Sequence, residues 1–153
     1  MAFTSIQKIR FDDVDGAGIV YYPKYFGLCH SAFEDFFDSA APISYPEMIR
    51  DRRQGFPTVA IQSDFTAPLA YGDTAIVALA VATLGRSSVS FTYTVRRKRD
   101  GARCFGAIIT TVFIDLDTHE SLTIPPEFRR IFSAFLTPVE GTEGAPPSSD
   151  DSG

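Results

Sequence analysis

Residues 11–25 read FDDVDGAGIVYYPKY, a stretch in which Asp12, Asp13, Asp15, Gly16 and Gly18 separate two segments of different hydrophobic period. Upstream, residues 3–11 (FTSIQKIRF) set apolar and polar side chains in rough alternation, which predicts a strand ending near Asp12 or Asp13. Downstream, Tyr25, Cys29, Ala32, Phe33, Phe36 and Phe37 recur at helical spacing, with Lys24, Ser31, Glu34, Asp35 and Asp38 between them. A helix of about four turns is expected. It starts at Pro23, whose missing N–H has no partner to lose in a first turn, and stops before Pro42.

A carboxylate-rich loop between a strand and a helix allows three chemistries. An EF-hand calcium loop needs Asp at its first position and Glu at its twelfth. With Gly16 at the required glycine, those places hold Phe11 and Tyr22, which excludes it. A dinucleotide fingerprint GxGxxG fails because Tyr21 stands in the place of the third glycine and no βαβ unit surrounds it. The third chemistry is acyl transfer. The N–H groups that open a helix have no intrahelical acceptors and carry the positive end of its dipole, so they can hold the oxyanion that forms when a thioester carbonyl is attacked. One such donor is worth about 3 to 4 kcal/mol. Asp15 stands just upstream, placed to attack or to activate water, and Gly16 and Gly18 let the backbone approach a substrate. The spacing alone also allows Asp13 and Asp15 to be turn residues that bond their own backbone.

Beyond the helix, residues 42–57 read as loop with a short helix at residues 45–53. Four strands follow. Residues 59–65 place Val59, Ile61, Ser63 and Phe65 on one face, and residues 70–73 (AYGD) form a turn. Residues 76–84 are nearly all apolar, as for a central strand covered on both faces. Val89, Phe91, Tyr93 and Val95 then alternate with polar residues, and Asp100-Gly101 signals a hairpin before a strand over residues 104–115. Pro125 and Pro126 introduce a last helix, residues 127–135, with an apolar stripe of Phe128, Ile131, Phe132 and Phe135. This order implies an α+β fold, a long antiparallel meander around one helix.

The chain has 153 residues, 44% of them hydrophobic, which suits one domain with a core of its own. Of the net charge of −5, four negative charges come from Glu140, Glu143, Asp150 and Asp151 in residues 138–153, which hold no base. The nearly neutral remainder has no nucleic-acid footprint. The end, GTEGAPPSSDDSG, reads as an acidic disordered tail, so the domain is placed at residues 1–137. There is no apolar run of about 18 residues and no signal-peptide pattern, so a cytoplasmic protein without a membrane partner is expected. Cys29 and Cys104 lie in no zinc spacing and are expected to be buried free thiols, and no metal site is predicted.

The segment FDDVDGAGIVYYPKYFGLCHSAFEDFF resembles the signature of hot-dog-fold thioesterases of the 4-hydroxybenzoyl-CoA thioesterase family, roughly F-x-D-x-D-x-x-G-[IV]-V-[YW]-[FYH]-x-x-Y, at every fixed position. Weaker likeness runs through GFPTVAIQSDFTAPLAYGD, GRSSVSF and IPPEFRR, so it covers residues 3–135. The resemblance implies a curved antiparallel sheet of about five strands wrapped around one long central helix. It further implies a site shared between subunits of a homodimer or homotetramer, and hydrolysis of an acyl-CoA with no cofactor beyond the coenzyme A of the substrate. By position, Asp15 matches the family's catalytic aspartate, as nucleophile or general base. Tyr22 matches the residue whose backbone N–H polarises the carbonyl, and Gly18 and Pro23 shape the loop.

Many relatives with aliphatic substrates carry His at the place of Tyr22, so an aroyl-CoA is favoured. Arg86 and Ser87, at the GRSS-like strand entrance, are the expected contacts for the coenzyme A phosphates, with Arg129 and Arg130 next. His30, four residues before Glu34, reads first as half of an ordinary helix pair, and the acyl pocket offers it a second role as a secondary polar group. The basic run Arg96-Arg97-Lys98-Arg99 and His119 read as solvated turns. A module that binds an acyl-CoA or aromatic ligand without turnover is the alternative.

Overall fold

Aromatic burial along one helix organises the fold. The structure is a computed structural model describing residues 1–137, so the expected acidic tail lies outside the described residues. Helix α1 (Lys24–Ala40) runs for 17 residues and buries Tyr25, Leu28, Cys29, Ala32, Phe33, Phe36 and Phe37. Pro23 precedes it, already in helical conformation (φ −67°, ψ −20°). At the other end Ala41 turns extended, because Pro42 disfavours the α region for the residue before it. Two helical turns follow, α2 (Tyr45–Glu47) and a wider one (Met48–Arg52), where the sequence suggested one short helix.

Five antiparallel strands lie beneath α1: β1 (Phe3–Lys8), β3 (Thr58–Phe65), β4 (Thr74–Leu84), β5 (Ser88–Arg97) and β6 (Arg103–Val112). A short pair, β2 (Gln54–Gly55) and β7 (Ile114–Asp115), stands apart. The main sheet has the order β1-β4-β5-β6-β3. Only β4, β5 and β6 form the expected meander. β3 pairs with β6 on the far edge, because residues 66–73, with Pro68 among them, are too long a link for a tight hairpin. The link instead crosses the end of the sheet, over three strand spacings of about 4.8 Å each. The Thr66 N–H donates to the Cys104 carbonyl (2.9 Å) and the Arg97 guanidinium to the Pro68 carbonyl (2.7 Å) along the way.

Three strand boundaries also differ from expectation. β1 ends at Lys8, and a 3-10 turn (Phe11–Asp13) follows, closed by the Arg10 N–H donating to the Asp13 carboxylate (2.8 Å). The strand expected over residues 104–115 breaks at Phe113, whose buried ring packs on Phe56 (4.8 Å between centroids). β4 is not covered on both faces: Ala75, Val77 and Leu79 are buried while Ile76 and Ala78 stay partly open.

The core lies between α1, the inner sheet face and helix α3 (Pro126–Ala134), whose Phe128 and Phe132 are fully buried. Phe33 meets Phe91 edge-on (5.4 Å), Tyr25 stacks on Phe105 (4.9 Å) and Phe36 stacks on Phe132 (6.3 Å). Rings of this size account for the unusual number of phenylalanines. Cys29 and Cys104 are buried free thiols, as expected, and burial pushes the Cys29 thiol up to about 12.

Asp73 fastens the link at the start of β4. Burial by itself would raise its carboxyl, but the Ala70 N–H and the Arg99 guanidinium, each at 2.9 Å, outweigh it and hold the carboxyl below its ordinary range. A depressed acid contributes stability that is complete above its unfolded value, about 4, and is lost as pH falls through the folded one. The urea midpoint should therefore drop less below pH ~4 in Asp73→Asn than in the wild type. Superimposable acid limbs would show that Asp73 does not carry this stability.

Candidate active site

The carboxylate loop is a small hairpin. The Asp15 N–H donates to the Ile19 carbonyl (3.0 Å), the Gly18 N–H to the Asp15 carbonyl (3.0 Å) and the Tyr21 N–H to the Asp13 carbonyl (3.0 Å). Gly18 closes the turn at φ 80°, a conformation that side chains resist, so the glycine is required by the turn itself. The returning arm is clamped to the link between β3 and β4: the Val20 N–H donates to the Leu69 carbonyl (2.8 Å), and the Tyr71 N–H to the Gly18 carbonyl (3.1 Å).

Asp15 is exposed on this hairpin. One of its carboxylate oxygens accepts from the Ala17 N–H (2.8 Å), so it does serve as a turn residue. The other has no partner among the described residues. Seven residues on, the Tyr22 N–H also finds no acceptor among the described residues, while the Tyr22 carbonyl accepts from Tyr25 N–H (3.3 Å) as α1 begins. The loop thus presents an open carboxylate oxygen and a free N–H at a helix start, the parts that carbonyl attack requires.

His30 lies two turns into α1, with Nε2 3.1 Å from Glu34. It also lines a cavity of about 110 Å³ between α1 and the sheet, together with Phe26, Phe33, Ile61, Tyr93 and Ile109. Sequence reasoning singled out His30 and missed the other walls. Phe26, His30 and Phe33 fall at i, i+4 and i+7, the spacing that marks one helix face, and Tyr93 falls on the inner face of β5.

Arg86 and Ser87 do not join Asp15 within one chain. They form the turn after β4, whereas the Asp15 hairpin is tied to residues just before that strand. Its 11 residues span about 35 Å. Arg86 reaches Thr123 (2.9 Å), and Ser87 is buried with its carbonyl accepting from Phe113 N–H (2.7 Å). Arg129 spends its guanidinium on the Gly85 and Arg86 carbonyls (2.8 and 3.2 Å), and the exposed Arg130 has no ion pair among the described residues. Arg97 and Arg99 pair with Asp100 and Asp73, so part of the basic run is structural. His119 sits in an exposed turn at φ 64°.

If the hairpin depends on Gly18, Gly18→Ala should lower stability by about 1 to 2 kcal/mol. No atom lies within 4 Å of the added Cβ, so the effect would come from the backbone alone. Equal urea midpoints for variant and wild type would contradict this.

The model of the thioesterase-like superfamily matches residues 9–132. A 1,4-dihydroxy-2-naphthoyl-CoA hydrolase of Nostoc punctiforme is 29% identical over 94% of this chain and 95% of its own length. Another of that name, from Trichodesmium erythraeum, is 26% identical over 90% of this chain and 99% of its own. Among solved structures, a 1,4-dihydroxy-2-naphthoyl-CoA thioesterase from Synechocystis superposes with a TM-score of 0.80 at 24% identity, covering 87% of this chain and 96% of that one. A gentisyl-coenzyme A thioesterase does so with a TM-score of 0.75 at 24% identity, covering 83% and 99%. With a family match over residues 9–132 and a TM-score of 0.80 to a solved thioesterase, the chain belongs to the thioesterase-like superfamily and has its hot-dog fold.

Proposed function

We propose that this chain hydrolyses aroyl-CoA thioesters to the free acid and coenzyme A, with Asp15 as the reacting carboxylate and the Tyr22 N–H as oxyanion donor. Hydrolysis of CoA thioesters is the activity shared by its named relatives and by this chain. Asp15 itself is supported by its open oxygen on a clamped hairpin, a few residues before an unengaged N–H. The aroyl preference rests on Tyr22 and on the aromatic-lined cavity, and the acyl groups in the relatives' names agree with it.

Two routes fit. As nucleophile, Asp15 adds to the thioester carbon while the Tyr22 N–H steadies the oxyanion; the thiolate leaves, and water cleaves the resulting anhydride. As general base, Asp15 takes a proton from water as that water attacks, and the thiolate departs with a proton. Both routes give the same products.

Edge strand β3 supports a dimer. All eight of its residues are exposed, including Val59 (61%), Ile61 (46%) and Phe65 (49%), an edge that invites pairing. Two β3 strands paired antiparallel about a two-fold axis would set the Thr58 end of one beside the Phe65 end of the other. The turn holding Arg86 lies at the Thr58 end, since Val112 N–H bonds the Pro57 carbonyl and Phe113 N–H the Ser87 carbonyl. The partner's basic turn would thus approach the Asp15 end. Pro23 stays at the helix start in this arrangement, shaping the approach to Tyr22.

Thiol release from a panel of acyl-CoAs tests the chemistry: Asp15→Asn should fall at least about 100-fold below the wild type. Retained turnover in that variant removes Asp15 from the mechanism, and tight binding without turnover in the wild type favours a binding module. Sedimentation should give two or four chains per particle, and Val59→Lys should lower both that mass and the turnover. A fully active monomer would refute the shared site.

A further inference from the structure

The buried polar groups mostly have partners. Ser90 and Thr110 share a hydrogen bond (2.9 Å), Thr111 donates to the Val89 carbonyl (2.9 Å), and the Tyr45 hydroxyl accepts from the Phe56 N–H (3.1 Å). Tyr93 differs. It projects from β5 with only 4% of its surface exposed, yet its hydroxyl has no hydrogen-bond partner among the described residues. No fully enclosed side-chain nitrogen or oxygen among those residues lacks a partner. The Tyr93 hydroxyl is therefore not enclosed: it opens on the cavity that Tyr93 helps to line. A hydroxyl kept unmet beside apolar walls is costly, and a polar ligand atom arriving there would satisfy it.

We infer that Tyr93 is a specificity-determining residue: its hydroxyl donates a hydrogen bond to a ring hydroxyl of the acyl group and so discriminates between substituted and unsubstituted rings. This rests on the thioesterase reading above. The cavity holds about 110 Å³. A cavity of ~150 Å³ lined by Leu, Ile and Phe takes up benzene, so the enclosed space suits about one ring and not a long alkyl chain. Phe26, Phe33, Ile61 and Ile109 supply its apolar walls. Phe26, His30 and Phe33 follow one face of α1, which begins two residues after Tyr22. An acyl group whose carbonyl is held at the Tyr22 N–H would run along that face to the cavity that Tyr93 lines. Burial pushes the Tyr93 phenol far above its ordinary range, so it remains a neutral donor at any working pH.

The test compares kcat/KM for benzoyl-CoA, the three monohydroxybenzoyl-CoAs and 1,4-dihydroxy-2-naphthoyl-CoA in wild type and Tyr93→Phe, with thermal melts to verify folding. The wild type should prefer at least one hydroxylated thioester over benzoyl-CoA. Tyr93→Phe, which removes one oxygen and keeps the ring, should shrink that preference about 3- to 10-fold, the range for one neutral hydrogen bond. Turnover of benzoyl-CoA should be kept. A purely structural role would lower all rates together and leave the ratio unchanged, and an unchanged ratio overturns the proposal. A wild type that turns over the panel without preferring hydroxylated rings overturns it too. Absence of turnover on every thioester instead brings down the thioesterase reading, and the proposal with it.

Discussion

Two backbone hydrogen bonds, Val20 N–H to Leu69 carbonyl and Tyr71 N–H to Gly18 carbonyl, decide where the Asp15 loop stands. Each is worth only about 1 kcal/mol net, so their importance is geometric. They join the Asp15 hairpin to the link that carries the chain from β3 across to β4. That link is itself tied to the sheet, through the Cys104 carbonyl at one end and Asp73 at the other. The carboxylate can therefore be exposed without being loose. An exposed Asp on a free loop would sample many positions, whereas this one inherits its place from β4 and β6.

The same helix serves core and cavity through different faces. Phe36 and Phe37 bury fully against Phe132 and Phe128, while Phe26, His30 and Phe33 face the open space beside the edge strand. That space persists because its walls are held from behind. Phe33 is fixed by Phe37, Tyr45 and Phe91, with centroids 4.9, 5.0 and 5.4 Å away, and Phe26 leans edge-on against Phe105 at 5.5 Å. Closely packed aromatic rings cannot collapse into a neighbouring void without leaving these contacts, so the core keeps the cavity open.

Local signals in the sequence were sufficient for the longer elements. The helical spacing of Tyr25 to Phe37, the alternation of Val89 to Val95 and the Asp100-Gly101 turn each correspond to an observed element, because each depends on neighbours a few residues away. The pairing of β3 with β6 was not legible. A strand alternates in the same way whichever partner it finds, and only the length of the link hinted that β4 was out of reach. The break at Phe113 was hidden for a similar reason, since it depends on Phe56, far away in sequence. At the site, Asp15 and Tyr22 came from a recognised pattern. The cavity walls on β3, β5 and β6 required the fold, because Ile61, Tyr93 and Ile109 are ordinary strand residues until α1 lies above them.

The edge strand places one further constraint on the chemistry. An exposed, apolar β3 is an aggregation hazard that a protein keeps only when something covers it. In the proposed dimer the cover is a second β3, and the cost of an open edge becomes the means of completing a site. The open Asp15 carboxylate and the helix start stand at one end of a chain, and Arg86 stands at the other. Sheet direction separates these groups by the length of β4 within a chain, and no loop movement bridges such a span. In the proposed dimer, a two-fold axis through β3 would remove the separation without altering either chain. Association would then be a condition of catalysis, and the activity of each chain would follow the fraction assembled and hence the protein concentration.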